Sequence, residues 1–349
     1  MATLQDELNA LLSKHYTADT PGAVILVAKG ERILYQHSAG VASKATGAAI
    51  IPQTNFRLAS VSKQFTAMGV QLLAAEGLLR LQDELSLYFP ELEHLGRVQL
   101  WHLLNHTSGL PDFEDYIPAD QTAQLTDVDV LTLTAAQRHL LYSPGSRFQY
   151  SNTAFVLLGL LIERVKGVPY GDFLREYLLR PLQMNDSLLY QTDADIPHRA
   201  MGYAKTAAGK FILSDQSIGS ATRGDGCMYT SAVDFLKWHQ ALNSNTLFNI
   251  NNTLKNNLTS VDAEAGWYYG MGWFYEQLPK DDYLLLHSGD TCGFTNLVMR
   301  YPKQDVLVVC FSNIANNQNF LQELLQVLKG FPELMPSSQL AWQLPQLTR

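Results

Sequence analysis

Leu4, Leu8, Leu11 and Leu12 recur at helical spacing, so Thr3 to His15 is predicted to open the chain as an amphipathic helix. Pro21-Gly22 breaks that period. Ala23 to Ala28 is a short apolar run and reads as a buried strand; Lys29-Gly30-Glu31-Arg32 reads as a turn and Ile33 to His37 as the return strand of a hairpin. The far end mirrors this. Tyr283 to His287, Phe294 to Tyr301 and Val306 to Phe311 read as strands, with Pro302-Lys303-Gln304-Asp305 turning between the last two. A closing helix follows, in which Phe320, Leu321, Leu324, Leu325 and Leu328 share a face.

The middle of the chain has a different period. Val61 to Glu76, Leu100 to Asn105, Leu125 to Tyr142, Ser151 to Lys166 and Tyr170 to Leu179 read mostly as helices, separated by Pro- and Gly-rich loops. The pattern predicts an α/β (α+β) fold. One central antiparallel sheet is built from both ends of the chain and flanked by N- and C-terminal helices, and a mostly helical domain is inserted in it. The expected division is residues 1–65 with 225–349 as the sheet domain and 66–224 as the helical domain, with a small-molecule cleft between them.

Composition narrows the function. A length of 349 residues fits two domains. With 46% hydrophobic and 17% charged residues, the chain is too apolar to be disordered. A net charge of −8 argues against a nucleic-acid-binding face and against docking on anionic lipid. The longest apolar run, Ala154 to Ile162, falls far short of the roughly 18–20 residues of a membrane span. The start, Met1-Ala2-Thr3-Leu4-Gln5-Asp6-Glu7, shows no signal peptide. As written, that predicts a cytoplasmic protein; prior removal of a leader would make it periplasmic or secreted. Three widely spaced cysteines, Cys227, Cys292 and Cys310, imply neither a disulfide framework nor a zinc site. His102 and His106 stand four apart on a predicted helix, but no glutamate lies between them, so packing or capping histidines are expected. No metal or cofactor is called for.

Three segments can carry chemistry. In Ser60-Val61-Ser62-Lys63 the serine opens a predicted helix, where free backbone N–H groups face an anion, and the lysine lies one turn on. A neutral Lys63 amine can take the Ser60 hydroxyl proton and make it a nucleophile. That requires a depressed lysine pKa. In Tyr150-Ser151-Asn152 the phenol can relay protons, its phenolate stabilised by a lysine ammonium, and Asn152 offers donor and acceptor to a substrate amide. In His287-Ser288-Gly289 the side chains can meet a substrate carboxylate or carbonyl, and the glycine permits close backbone approach. Taken singly, each segment also fits an ordinary structural role: a helix cap, a buried tyrosine, a strand end. Phe113 and Tyr116, and Trp267, Tyr268, Tyr269 and Trp273, are candidates for pocket lining or for core.

Taken together and in order, the three segments resemble the serine β-lactamase and penicillin-binding protein superfamily. The chain is most similar to the branch of class C β-lactamases, D-alanyl-D-alanine carboxypeptidases, D-aminopeptidases and family VIII esterases. Leu103 to Pro111, Gly226 to Trp238, Tyr269 to Trp273 and Gly289 to Phe294 extend the likeness, which runs from about residue 20 to about residue 330. The resemblance implies that Ser60 is acylated, that Lys63 and Tyr150 share the acid–base work, and that Asn152 orients the substrate or Lys63. It implies an oxyanion hole made by the backbone N–H groups of Ser60 and Asp290, with His287, Ser288 and Gly289 binding substrate.

This chain departs from the pattern at His287, where a lysine is common. A fixed grip on a carboxylate is then replaced by a group expected to titrate near neutrality. A pocket-facing Asp290 would favour neutral or cationic substrates. Cys227 stands where the family often has a second glycine. The resemblance therefore implies a serine hydrolase of a small-molecule or short-peptide ester or amide, carboxylesterase-like or D-amino-acid-peptidase-like. The alternatives are a D-alanyl-D-alanine carboxypeptidase or weak β-lactamase, and a catalytically silent relative that only binds.

Overall fold

The fold was obtained as a computed structural model, which describes residues 2–192 and 194–348. Helix α1 (Leu4–His15) starts at Thr3, whose side chain and that of Asp6 cap one another, and buries Leu8, Leu11 and Leu12. The large sheet has eight antiparallel strands: β1 (Ala23–Lys29), β2 (Arg32–Ala39), β3 (Thr259–Asp262), β4 (Trp267–Gly270), β5 (Trp273–Leu278), β6 (Asp282–Thr291), β7 (Phe294–Tyr301) and β8 (Val306–Ser312). Their spatial order is β3-β4-β5-β6-β7-β8-β1-β2, so the first hairpin of the chain docks on its last strand, with Ala23 opposite Ser312. The sheet therefore is built from both ends of the chain. Strand β1 is buried on both faces until Lys29, which is why it reads as a continuous apolar run instead of an alternating one.

Helices α9 (Gln318–Lys329) and α10 (Leu340–Leu347) cover one face of the sheet with α1. Helix α7 (Ala232–Ser244) packs on β1 and β8 from the other side, where Phe235 meets Phe311 edge to face. On that same side lies α2 (Lys63–Ala75), buried almost all round, with Phe65 stacked on Trp238 at 4.5 Å and Gln64 accepting the Trp238 indole N–H at 3.0 Å. A helix buried on nearly every face belongs in a core, and its Lys63, Gln64, Thr66 and Gln71 are carried in with it. Each fully buried Phe or Leu of this kind contributes roughly 1.5–3 kcal/mol.

The stretch between β2 and β3 holds the helices α3 (Leu100–Leu104), α4 (Asp127–Ala135), α5 (Asn152–Lys166), α6 (Tyr170–Leu174) and α7, with α8 (Ile250–Asn256) before β3. Helix α4 is shorter than its expected span of 125–142. Beyond Ala136 the backbone leaves the helix to bond the loop after α3, with Leu141 N–H donating to the Gly109 carbonyl and Gly145 N–H to that of Thr107. Residues 175–179, expected to continue α6, form a wider π turn. Among the described residues no helix is long and apolar enough to cross a membrane.

Candidate active site

Ser60 sits on a bend. The short strand Phe56–Arg57 pairs with Met228–Thr230. The chain then passes through Ala59 in left-handed backbone, φ 49°, into a tight turn over Ala59–Ser62, and α2 starts at Lys63. Left-handed backbone costs an L-residue roughly 1–2 kcal/mol, offset here by the packing that holds the bend. The Ser60 side chain is half-exposed, whereas Lys63 is fully buried.

The Lys63 Nζ has three partners: Ser60 Oγ at 2.9 Å, Asn152 Oδ1 at 2.8 Å and the Asp225 carbonyl at 3.0 Å. Asn152 and Asp225 offer only acceptors, so each takes one N–H. In the neutral amine the lone pair is then left to face the Ser60 hydroxyl. Burial drives the Lys63 pKa down to about 8, against the opposing pull of Asp225, Asp112 and Glu114. A minority of the amine is thus already neutral at pH 7, and most of it is above pH 8.

Tyr150 lies beneath this group, with Nζ 4.9 Å from its ring centroid. Its phenol oxygen makes no well-formed hydrogen bond, yet the Ser60 side chain is near enough to act on its acidity. Burial raises the Tyr150 pKa well above 10, so the resting group is a neutral phenol. Ser151 caps α5 by accepting the Ala154 N–H, which places Asn152 as the first residue of the helix, its Oδ1 on Lys63.

Strand β6 forms the opposite wall and alternates in the usual way. Gly289 packs on Leu58 and Ala59, so β6 lies directly beside the bend that carries Ser60. Asn296 holds the two together, donating to the carbonyls of Arg57 at 2.9 Å and Gly289 at 3.3 Å. His287 faces the same side, its ring 6.2 Å from Tyr150. Its Nδ1 lies 2.6 Å from the Ser288 carbonyl, and its Nε2 is 3.5 Å from the Tyr269 hydroxyl. Full burial lowers its pKa to about 3, so it is neutral throughout the physiological range and offers no pH-dependent attraction for a carboxylate, contrary to the expectation from sequence.

Ser288 and Asp290 project to the other face. The Ser288 side chain borders a small cavity with Gln318, Leu321 and Trp342 of the C-terminal helices, and Asp290 accepts from Gln318 at 3.0 Å. The Ser288 hydroxyl and the Asp290 carboxylate therefore lie on the far side of β6 from Ser60.

Three acidic side chains were not anticipated. Asp112 accepts the Asn152 backbone N–H at 2.6 Å, and Glu114 accepts from the Asn152 amide at 3.2 Å. Asp225 is buried with one carboxylate oxygen unpartnered. Desolvation raises Asp112, Glu114 and Asp225 alike, and repulsion from neighbouring carboxylates adds to it at Asp112 and Glu114, the latter rising to about 7 even though its side chain reaches solvent. They lie far apart in sequence, and no local spacing marks them.

Other candidates resolve into structure. Phe113 is core, packed with Leu125, Val130 and Val156, whereas Tyr116 is 40% exposed. Trp273 and Tyr269 are fully buried. Helix α3 ends at Leu104, so His102 and His106 do not share it. Cys227 donates its thiol to the Thr222 carbonyl at 2.7 Å, and burial raises its pKa to about 12, an inert group.

Comparison with known proteins bears on this arrangement. The Beta-lactamase family model matches residues 8–329. Penicillin-binding protein 4* of Bacillus subtilis (strain 168) is 28% identical over 358 residues, covering 95% of this chain and 77% of that protein. Among solved structures, the penicillin binding protein from Bacillus halodurans superposes with a TM-score of 0.79 at 28% identity, over 94% of this chain and 100% of that one. The D-amino acid amidase from Ochrobactrum anthropi SV3 shares the fold, with a TM-score of 0.78 at 24% identity over 95% of this chain and 100% of that one. The chain is a member of the Beta-lactamase family and has the β-lactamase/transpeptidase fold.

Proposed function

We propose that the chain hydrolyses an amide or ester through an acyl-enzyme on Ser60, and that the preferred acyl group carries a cationic amine, as in a D-amino-acid amide or a short D-peptide. One observation carries the reading: Lys63 Nζ stands 2.9 Å from Ser60 Oγ with its other two directions occupied by acceptors. Neutral Lys63 takes the Ser60 proton as Oγ attacks the carbonyl carbon. The backbone N–H groups of Ser60 and Asp290 hold the oxyanion, each such donor being worth roughly 2.7–4 kcal/mol. The tetrahedral adduct collapses, and the leaving nitrogen or oxygen takes a proton from Tyr150, which Lys63 replenishes. Water then attacks the acyl-enzyme under the same base and frees the acid and Ser60.

The charge pattern supports the substrate class. His287, the buried side chain at the triplet's first position, is neutral, while Asp112, Glu114 and Asp225 gather about Asn152 and Lys63. A carboxylate finds no cation on this stretch of β6; an ammonium near the scissile carbonyl finds acidic partners. The likeness to the D-amino acid amidase agrees with this, and small neutral esters fit the same chemistry. Comparing D-alanine p-nitroanilide with its N-acetyl form tests it. Loss of at least about tenfold in kcat/KM on acetylation is expected, with Ser60→Ala inert toward both. Equal rates for the free and blocked amines, or faster turnover of penicillins, would overturn the amine preference.

A further inference from the structure

We propose that His106 is a positioning residue for the reaction, clamping Tyr150 through its two backbone neighbours and its ring, and so setting where the phenol meets Ser60. This rests on the reading of Tyr150 as the proton donor of the acyl-enzyme cycle. One histidine holds three consecutive residues. Its carbonyl accepts the Gln149 N–H at 2.8 Å, its Nδ1 accepts the Ser151 N–H at 3.1 Å, and its ring lies 4.3 Å from the Tyr150 ring at 34°.

An Nδ1 that accepts carries no hydrogen, so the proton of the neutral ring is on Nε2. Burial, with Lys63 and His287 nearby, keeps the imidazole from charging. The ring is confined further by Tyr269 at 4.5 Å and Phe155 at 5.0 Å. Because Ser151 also caps α5, the same bond steadies Asn152 and through it Lys63. His106 has left-handed backbone, φ 56°, a conformation in which Asn, Asp and His are enriched. That bend turns both its carbonyl and its ring toward the Tyr150 segment.

Two substitutions separate acceptor from ring. His106→Asn keeps an acceptor near the Nδ1 position and tolerates the bend; His106→Phe keeps the ring and orphans the buried Ser151 N–H. For p-nitrophenyl butyrate, His106→Phe is expected to lose at least about tenfold in kcat with KM little changed, and His106→Asn to recover to within about threefold of wild type. The carbon-13 Cζ resonance of Tyr150 is expected to move in the first variant and to stay near its wild-type position in the second. Should His106→Phe not fold, His106→Gln, whose amide reaches the Nε2 position instead, is expected to show the same loss. A folded acceptor-less variant with wild-type kcat and an unmoved Tyr150 resonance overturns the proposal, as does an equal loss in His106→Asn. A wild-type protein whose Ser60 takes no label removes the acyl-enzyme reading, and the Tyr150 resonance then still decides the clamp.

Discussion

Gly289 packs against the carbonyl of Leu58 so closely that a Cβ at this position would lie 2.1 Å from the oxygen, well inside van der Waals contact. That contact brings β6 against the bend carrying Ser60 and sets the width of the gap in which an oxyanion would sit. Gly289→Ala must push strand and bend apart. Overpacking of this kind typically costs about 1–3 kcal/mol. The expected result is a lower melting temperature and a fall of about a hundredfold or more in the rate of Ser60 acylation, measured by stopped-flow release of p-nitrophenol. A variant that acylates at the wild-type rate would show that β6 does not set the site.

Lys63 gives a pH prediction with a definite sign. The amine acts as base only when neutral, so kcat/KM for an uncharged ester rises as pH climbs to about 8 and levels above it. Lys63→Met is expected to lower the plateau by about 10²–10⁴-fold and abolish the limb. The same shift has a stability consequence. The folded pKa lies below the ordinary 10.5, so between about pH 8 and 10.5 the unfolded chain binds the extra proton and wild-type stability gains with pH. Melting curves should show wild type gaining on Lys63→Met across that window and not below it.

His287 gives the opposite kind of prediction. Held neutral until about pH 3, it contributes no charge near neutrality. The ratio of KM for a carboxylate-bearing ester to KM for its neutral analogue should therefore show no His287-dependent inflection between about pH 5 and 8. An inflection near 6.5 that disappears in His287→Asn would mean that the ring is open to water.

Much of this architecture is legible in the sequence where the physics is local. Phe294–Tyr301 is a strand over the span its apolar residues predict, and α1 begins at the Thr3 cap. Lys63 falls one turn beyond Ser60 because three residues of helix-like backbone return a side chain to the same face. What failed was set by distant contacts. Strands β3 to β5 mix polar and aromatic residues without a clean period, and the sequence pattern predicts no helix over α7, although Ser231 caps it and Trp238 anchors it. The state of His287 follows from burial among Tyr150, Tyr269 and Phe274, and the side to which Ser288 and Asp290 point follows from Gly289 being pinned on Leu58. Neither can be read from a triplet. Asp112, Glu114 and Asp225 converge from separate loops on one lysine, a convergence that exists only after folding.

The nucleophile is the claim on which the rest depends. Incubation with a fluorophosphonate, followed by intact-mass measurement and peptide mapping, tests it directly. The account predicts a single adduct on the peptide containing Ser60, formed faster as pH approaches 8 and lost in Ser60→Ala and Lys63→Met. A wild-type protein that stays unmodified, or one labelled on a different residue, contradicts it.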